Sequence, residues 1–395
     1  MTHPPVATSA GQNGAAISDA HALREALRRH TTLTSLHADP AWPKLSAMLQ
    51  ALLTPIRRWS PAGLPDAATD PARVHVAHWN LEHGNRFDAI VRALESQPAL
   101  AGADIVTLNE VDLGMARSGN RDVTRELAAR LGLHAAWAAL FLESTRGRDD
   151  DSLTALPHDN AESLFGLAIL SRWPIASARL VPLPGPERQL FERERMAGRF
   201  VALVCEVAHP SRPFTAATVH LEVHRTRAHR AAQMQLLLAA LAGERQPVLI
   251  AGDWNTHTFD RGARFATIEA ATALLTWPGS KLAARFTHPD HGAHRELVFD
   301  ALRQAGFEWQ PYSDFAPTLG LRFERLGEVH ALPWPLRALA SRGLDWAERR
   351  AQLRLDWIAA RGFRHEAGSG RTLHGLDGPG RASDHAPIVA ELRLG

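Results

Sequence analysis

Five short polar groups stand beside apolar runs in this 395-residue chain: His78-Trp79-Asn80-Leu81-Glu82, Leu108-Asn109-Glu110, Val219-His220-Leu221-Glu222, Gly252-Asp253-Trp254-Asn255 and Ser383-Asp384-His385. Carboxylates and carboxamides are hard oxygen ligands suited to Mg²⁺ or Mn²⁺. Imidazoles give and take protons near neutrality. Each group follows or ends a segment that reads as a buried strand, and strand ends are where open α/β sheets assemble their sites. The combined inventory is that of a hydrolytic metal site.

The motifs differ in what they offer. Asn80 and Glu82 fall two positions apart at the end of the alternating run Val74–Trp79, which predicts that they share one strand face. Glu110 ends the apolar run Ile105–Leu108, and a carboxylate enclosed there must be paired, hydrogen-bonded or metal-bound. In Gly252-Asp253-Trp254-Asn255 the glycine permits a tight turn. Asp253 is then placed to orient or deprotonate a water, and Asn255 to donate to a developing oxyanion; a plain Asx-turn is the competing reading. Asp356 lies within the apolar run Leu353–Ile358, where an acid is costly without a partner, and holding the His385 ring would satisfy both groups.

Positioning these groups requires alternating strands and helices. Strands are expected over Val74–Trp79, Ile105–Leu108, Leu167–Leu170, Phe200–Val207, Phe214–Val219 and Val248–Ala251, and again over Leu355–Ile358 and Ile388–Leu392. Helices are expected over Phe87–Gln97, Val123–Leu131 and about Arg227–Leu241. This rhythm predicts an α/β fold. Upstream, residues 1 to about 20 read as a flexible tail, Asp19–Arg58 as two short amphipathic helices, and the proline-rich stretch Ser60–Pro71 as a linker. Residues 1–71 are thus expected to form an appendage, and 72–395 the catalytic domain.

Composition narrows the function class. Hydrophobic residues make up 45% of the chain, enough for a sizeable core, and 44 basic against 42 acidic residues leave a net charge of +2. That balance is no nucleic-acid footprint. The lone Cys205 excludes an intrachain disulfide framework or a multi-cysteine zinc site. No run approaches the length of a transmembrane helix, and the N-terminus lacks a signal-peptide pattern, so a cytoplasmic protein with no evident protein partner is expected.

As an ordered set, Trp79-Asn80-Leu81-Glu82, Asn109-Glu110, Thr218-Val219-His220-Leu221, Gly252-Asp253-Trp254-Asn255, Leu355-Asp356-Trp357-Ile358 and Ser383-Asp384-His385 resemble the endonuclease/exonuclease/phosphatase superfamily of metal-dependent phosphoesterases. Gly166–Arg172 also resembles that family's Gly-x-Ala-Ile-Leu-Ser-Arg strand, with Leu167 where an Asn is frequent. The resemblance spans about residues 72–395. It implies a deoxyribonuclease I-like four-layer α/β sandwich, two mixed β-sheets packed face to face and flanked by helices. By the same resemblance, Glu110 is the principal Mg²⁺ ligand, with Asn80, Glu82 and Asp384 close to the metal or phosphate. His220, Asp253, Asn255, Asp356 and His385 are the implied catalytic set: Asp253 activates water, Asn255 holds it or a phosphoryl oxygen, both histidines stabilise the pentavalent phosphate, and Asp356 orients His385. The implied reaction is in-line hydrolysis of a phosphodiester or phosphomonoester.

The substrate stays open among a small molecule, a lipid headgroup and a nucleic acid. A DNA or RNA endo- or exonuclease of the same fold is one alternative, and a catalytically silent phosphate-binding protein is another. The 21 histidines suggest a zinc hydrolase, through His220 with His224 or through His288, His291 and His294. Two arginine-rich segments, Glu187–Arg199 and His224–Arg230, are candidate phosphate clamps or solvated helix faces.

Overall fold

A computed structural model describes residues 10–61, 72–147, 155, 158–261, 266–320, 346, 349–365, 368–376 and 382–395. In chain order the strands are β1 (Ile56–Trp59), β2 (Arg73–Asn80), β3 (Ile105–Leu113), β4 (His134–Glu143), β5 (Leu164–Ser171), β6 (Ile175–Leu183), β7 (Met196–Gly198) and β8 (Phe200–Val207). They continue with β9 (Phe214–Val219), β10 (Val248–Asp253), β11 (Leu319–Gly320), β12 (Gln352–Leu353), β13 (Asp356–Arg361), β14 (Phe363–His365), β15 (Arg371–Thr372) and β16 (Ile388–Leu394).

One sheet runs in the order β1-β4-β5-β3-β2-β16-β14, with β7 on β4 and β15 on β16; the other runs β13-β10-β9-β8-β6. Both are mixed: β2 and β3 pair in parallel in the first, β9 and β10 in the second, among antiparallel neighbours. The period-2 alternation of a strand explains how they stack. Val74 and Val76 of β2 and Ile105 of β3 point into a core shared with Val201, Leu203, Ala216, Leu249 and Ile358 of the second sheet. Ala77, Trp79, Val106 and Leu108 point the other way, onto a helical layer.

The helices are amphipathic for this purpose. In Phe87–Ser96 the buried residues Phe87, Ile90, Val91 and Leu94 recur at helical spacing and cover the first sheet. Arg227–Leu241 buries Met234, Leu237, Leu238 and Leu241 on the second, alongside Val298–Gln304. The resulting layers are helix, sheet, sheet, helix, the sandwich that the resemblance implied.

The N-terminal segment differs from its expected role as an appendage. A helix spans Ala10–Arg28, inside part of the stretch read as a tail, and Leu23, Leu27, Leu36, Leu45, Leu49 and Leu53 are buried in the same cluster as Trp79 and Leu108. β1 pairs antiparallel with β4 and extends the first sheet at its edge. Arg24, almost wholly buried, donates to Asn160 O at 2.6 Å and Ser163 Oγ at 3.0 Å. The physical reason is that the spacing of these leucines supplies a covering face for the first sheet. Residues 62–71, which hold most of the expected linker, lie outside the described residues.

Candidate active site

The site forms where β2 and β3 of one sheet end against β9, β10 and β13 of the other. The same alternation that packs Val76 and Ile105 inward carries His78, Asn80, Thr107 and Asn109 onto that inner face. Asn80 is fully buried, and its amide nitrogen Nδ2 donates to Glu110 Oε1 at 3.1 Å and to Asp253 Oδ2 at 3.2 Å. One carboxamide therefore joins acids from both sheets.

Glu110 reaches Asn80 through a β-bulge. The register of β3 against β5 shifts between Leu108 and Val111, and Glu110 takes a positive φ of 51°. An extra bulge residue re-aims one side chain and costs local backbone strain. The carboxyl is pushed up to about 8, first by burial and then by the nearby charge of Asp384, with Asp253 adding to it against the Asn80 hydrogen bond and His385.

Asp253 ends β10. Adding a Cβ at Gly252 would bring it 1.9 Å from Val219 O, so glycine is required for β9 and β10 to approach here. The backbone N–H of Asp253 donates to Asn109 Oδ1 at 2.7 Å, and Asn109 Nδ2 donates to Thr218 Oγ1 at 3.1 Å. Asp253 Oδ1 accepts the Asn255 N–H at 2.9 Å, the Asx-type turn that is the competing reading of this motif. Its other oxygen lies 3.5 Å from His220 Nε2 and 3.8 Å from His385 Nε2. Asn255, at a positive φ of 51°, donates through Nδ2 to Leu221 O at 2.8 Å.

The final loop is fastened to β2. Trp79 Nε1 donates to His385 O at 2.8 Å, and Ser383 Oγ donates to Asn80 O at 2.6 Å. His385 Nδ1 lies 2.7 Å from Asp356 Oδ2. Burial alone would depress the imidazole, but the charge and hydrogen bond of Asp356, with Asp253 and Asp384 nearby, raise it well above its ordinary value. Burial likewise would raise Asp356; the charge and hydrogen bond of His385, with a bond from His78, hold it well below the usual carboxylate range.

Asn80, Glu110, Asp253, Asp356, His220 and His385 thus converge. Glu82 departs from the simple strand-face argument: β2 ends at Asn80, and Glu82 sits in the following 3₁₀ turn at a positive φ of 46°. Its N–H donates to Asn80 Oδ1 at 3.1 Å, while its carboxylate accepts from Arg86 Nη1 at 2.7 Å. Asp384 is partly buried beside Ser383 and His385 and acts electrostatically on Glu110.

Three participants were not singled out from the sequence. His83 Nε2 lies 3.6 Å from Glu110 Oε2, and burial with the charges of Arg117 and His220 holds its pKa well below the ordinary value. Asn109 fixes the Asp253 backbone, and His78 contacts Asp356. The available signal was parity: His78 shares a strand face with Asn80, and Asn109 is a carboxamide inside a buried strand.

Among the described residues, Asp253, Asp356 and His385 bring possible ligand atoms within 4.8 Å of one another. A hydrogen bond joins two of the three, His385 Nδ1 with Asp356 Oδ2 at 2.7 Å, and His385 Nε2 lies 3.8 Å from Asp253 Oδ2. Of the zinc trio, the His288 and His291 rings stand 6.4 Å apart while His294 lies against Trp277 at 5.5 Å, and among the described residues the three form no group within ligand reach of one another. His224, the other candidate, faces Glu194 at 3.8 Å. In the arginine-rich segments, Arg227 grips Asp260 at 2.9 Å and the fully buried Arg230 grips Glu296 at 2.6 Å. Arg195 donates to His30 O at 2.9 Å, whereas Arg188, 77% exposed, pairs with Glu192 at 3.0 Å on the surface of its helix.

Residues 77–385 match the profile of the Endonuclease/Exonuclease/phosphatase family. No curated protein sequence gives a significant match. Solved structures similar to this chain include an endonuclease/exonuclease/phosphatase from Beutenbergia cavernae, at 19% identity and a TM-score of 0.47, covering 82% of this chain and 72% of that one. The human Nocturnin catalytic domain with bound sulfate aligns at 15% identity and a TM-score of 0.45, covering 83% and 96%. A mannosyl-6-phosphatase from Bacteroides thetaiotaomicron aligns at 13% identity and a TM-score of 0.44, covering 81% and 100%. With a match that spans most of its length and a two-sheet sandwich around the matched motifs, the chain belongs to the endonuclease/exonuclease/phosphatase family.

Proposed function

We propose that this protein is a divalent-metal-dependent phosphoesterase that hydrolyses a phosphodiester or phosphomonoester by in-line attack of water. The observation that carries the reading is the Asn80 carboxamide held between Glu110 of one sheet and Asp253 of the other. The donor set fits a hard cation. Burial, with the charges of Asp384 and Asp253, drives Glu110 toward its neutral form, a cost that a divalent ion would offset. Glu110 and Asp384 would hold it; Asn80 gives its Nδ2 donor to Glu110 and its Oδ1 to the Glu82 N–H and so supports the ligands, while Glu82, engaged with Arg86, fits an outer position that supports the turn. When bound, Mg²⁺ or Mn²⁺ would neutralise charge on a phosphoryl oxygen or on the leaving group.

The side chains divide the remaining work. His385, kept protonated by Asp356, is a charged donor for a phosphoryl oxygen and cannot serve as base. Asp253, oriented by the Asn255 N–H and by Asn109, is then the group placed to take a proton from the attacking water. His220, 3.5 Å from Asp253, faces the same space as a second donor. Asn255 holds the turn, with its Nδ2 tied to Leu221 O next to His220.

The test is turnover of bis(4-nitrophenyl) phosphate and 4-nitrophenyl phosphate, then of DNA, RNA, nucleotides, inositol phosphates and sphingomyelin, with Mg²⁺, Mn²⁺ or Zn²⁺ and with chelator. Activity supported by Mg²⁺ or Mn²⁺ and lost on chelation is expected. Turnover that survives chelation removes the metal assignment, and binding of phosphate esters without any turnover favours the silent phosphate-binding alternative.

A further inference from the structure

The geometry points to His78 as a positioning residue: from the layer behind the site, it locks Asp356 and through it His385. The inference rests on the proposed role of the Asp356–His385 pair. His78 Nε2 lies 3.1 Å from Asp356 Oδ1, the oxygen that His385 does not use, and its Nδ1 lies 2.9 Å from Thr107 Oγ1. His78 and Thr107 are fully buried and Asp356 nearly so. The chain of contacts therefore runs Thr107, His78, Asp356, His385, and crosses from the first sheet to the second and back to the final loop.

The register explains why these groups meet. His78 and Thr107 are direct partners in the parallel pairing of β2 and β3, and both face inward. Across from them, Asp356 opens β13, with its N–H on Thr318 Oγ1 at 3.2 Å. Asp356 Oδ1 can only accept, so the neutral His78 ring is the tautomer whose other nitrogen takes the Thr107 hydroxyl at 2.9 Å, in preference to Ala77 O at 3.4 Å. That choice makes Nδ1 an acceptor and leaves Nε2–H to donate to Asp356.

The consequence is orientational. A carboxylate held by one hydrogen bond can rotate about its Cβ–Cγ bond; one held at both oxygens presents a single oxygen to His385. His385 Nδ1–H is then fixed, and Nε2 is aimed at the space beside Asp253, 3.8 Å from its Oδ2. An outer partner that fixes a ring in this way is typically worth roughly 10–100-fold in activity.

The experiment uses the full chain with Mg²⁺ and bis(4-nitrophenyl) phosphate. His78→Ala should lower kcat by about 10–100-fold with KM little changed, and His78→Gln, which restores a donor toward Asp356, should recover much of the loss. Thr107→Val, a nearly isosteric change, should produce a smaller loss of the same kind, and it serves where His78→Ala fails to fold. The double variant His78→Ala/Asp356→Ala should be no slower than Asp356→Ala alone. Histidine ¹⁵N NMR, with His385→Gln used to assign the resonance, should show His385 protonated at Nδ1 in the native protein and this signature lost or broadened in His78→Ala. Unchanged kcat, multiplicative losses in the double variant, or an unaltered His385 signal would each overturn the inference. If Asp356→Ala and His385→Ala also leave turnover intact, the reading of the site itself fails instead.

Discussion

Asn109, a residue of the first sheet, accepts the backbone N–H of Asp253, a residue of the second, at 2.7 Å. The same carboxamide donates to Thr218 Oγ1, so one buried side chain spans three strands and sets where Asp253 emerges. Asn80 with Asp253 and His78 with Asp356 make further polar crossings between the sheets at the same end.

That relationship gives the first expectation. Asn109→Leu leaves a buried N–H without its acceptor, which costs about 1–3 kcal/mol. Because Asp253 is displaced as well, kcat should fall by roughly 10–100-fold, as for other supporting groups around a site. Chemical denaturation and steady-state kinetics on the same preparation check both effects; a stability loss with normal kcat would detach Asn109 from catalysis.

Glu110 links the site to pH. Its folded-state pKa of about 8 stands above the ordinary 4.5. For a carboxyl raised on folding, the stabilising contribution is complete below the unfolded value and is lost as pH rises from about 4.5 through about 8. With chelator present, native stability should therefore decline across that window, by up to about 5 kcal/mol, while Glu110→Gln declines less. Adding Mg²⁺ at pH 8 should raise the melting temperature of the native protein and not of the variant, and the variant should show no metal-supported turnover. Parallel melting curves with and without the ion decide the matter.

Asp356 and His385 should behave as a unit. An imidazole without its carboxylate loses both its orientation and its charge, so the Asp356→Ala and His385→Ala defects in kcat should be far from multiplicative in the double variant. Independent, multiplying defects would show that the 2.7 Å contact has no catalytic consequence.

Deleting residues 1–61 should destabilise the protein. Leu23, Leu27, Leu49 and Leu53 are each buried against the cluster under the first sheet, and a fully buried leucine contributes roughly 1.5–3 kcal/mol relative to exposure. Loss of β1 also bares the edge of β4, an invitation to association. A lower melting temperature and aggregation on gel filtration are expected; a truncated chain that melts as the full one does would return these residues to the status of an appendage.

By itself the sequence determined the α/β alternation, the strands that end in polar groups, and the pairing of Asp356 with His385, since a carboxylate and an imidazole in apolar surroundings have few other ways to be satisfied. These are local consequences of periodicity and burial. It did not determine that Glu110 reaches Asn80 through a bulge, because an inserted residue in a strand leaves no fixed local pattern. Nor could it assign His78 and Asn109, whose partners lie 278 and 144 positions away in the other sheet. The N-terminal leucines carried a helical spacing, but a spacing says only that a face must be covered; which sheet it covers was decided when β1 joined β4 and the helices closed over Trp79. The arginine-rich segments were decided in the same way, because Asp260 and Glu296 come from distant turns of the chain and only packing brings them to Arg227 and Arg230.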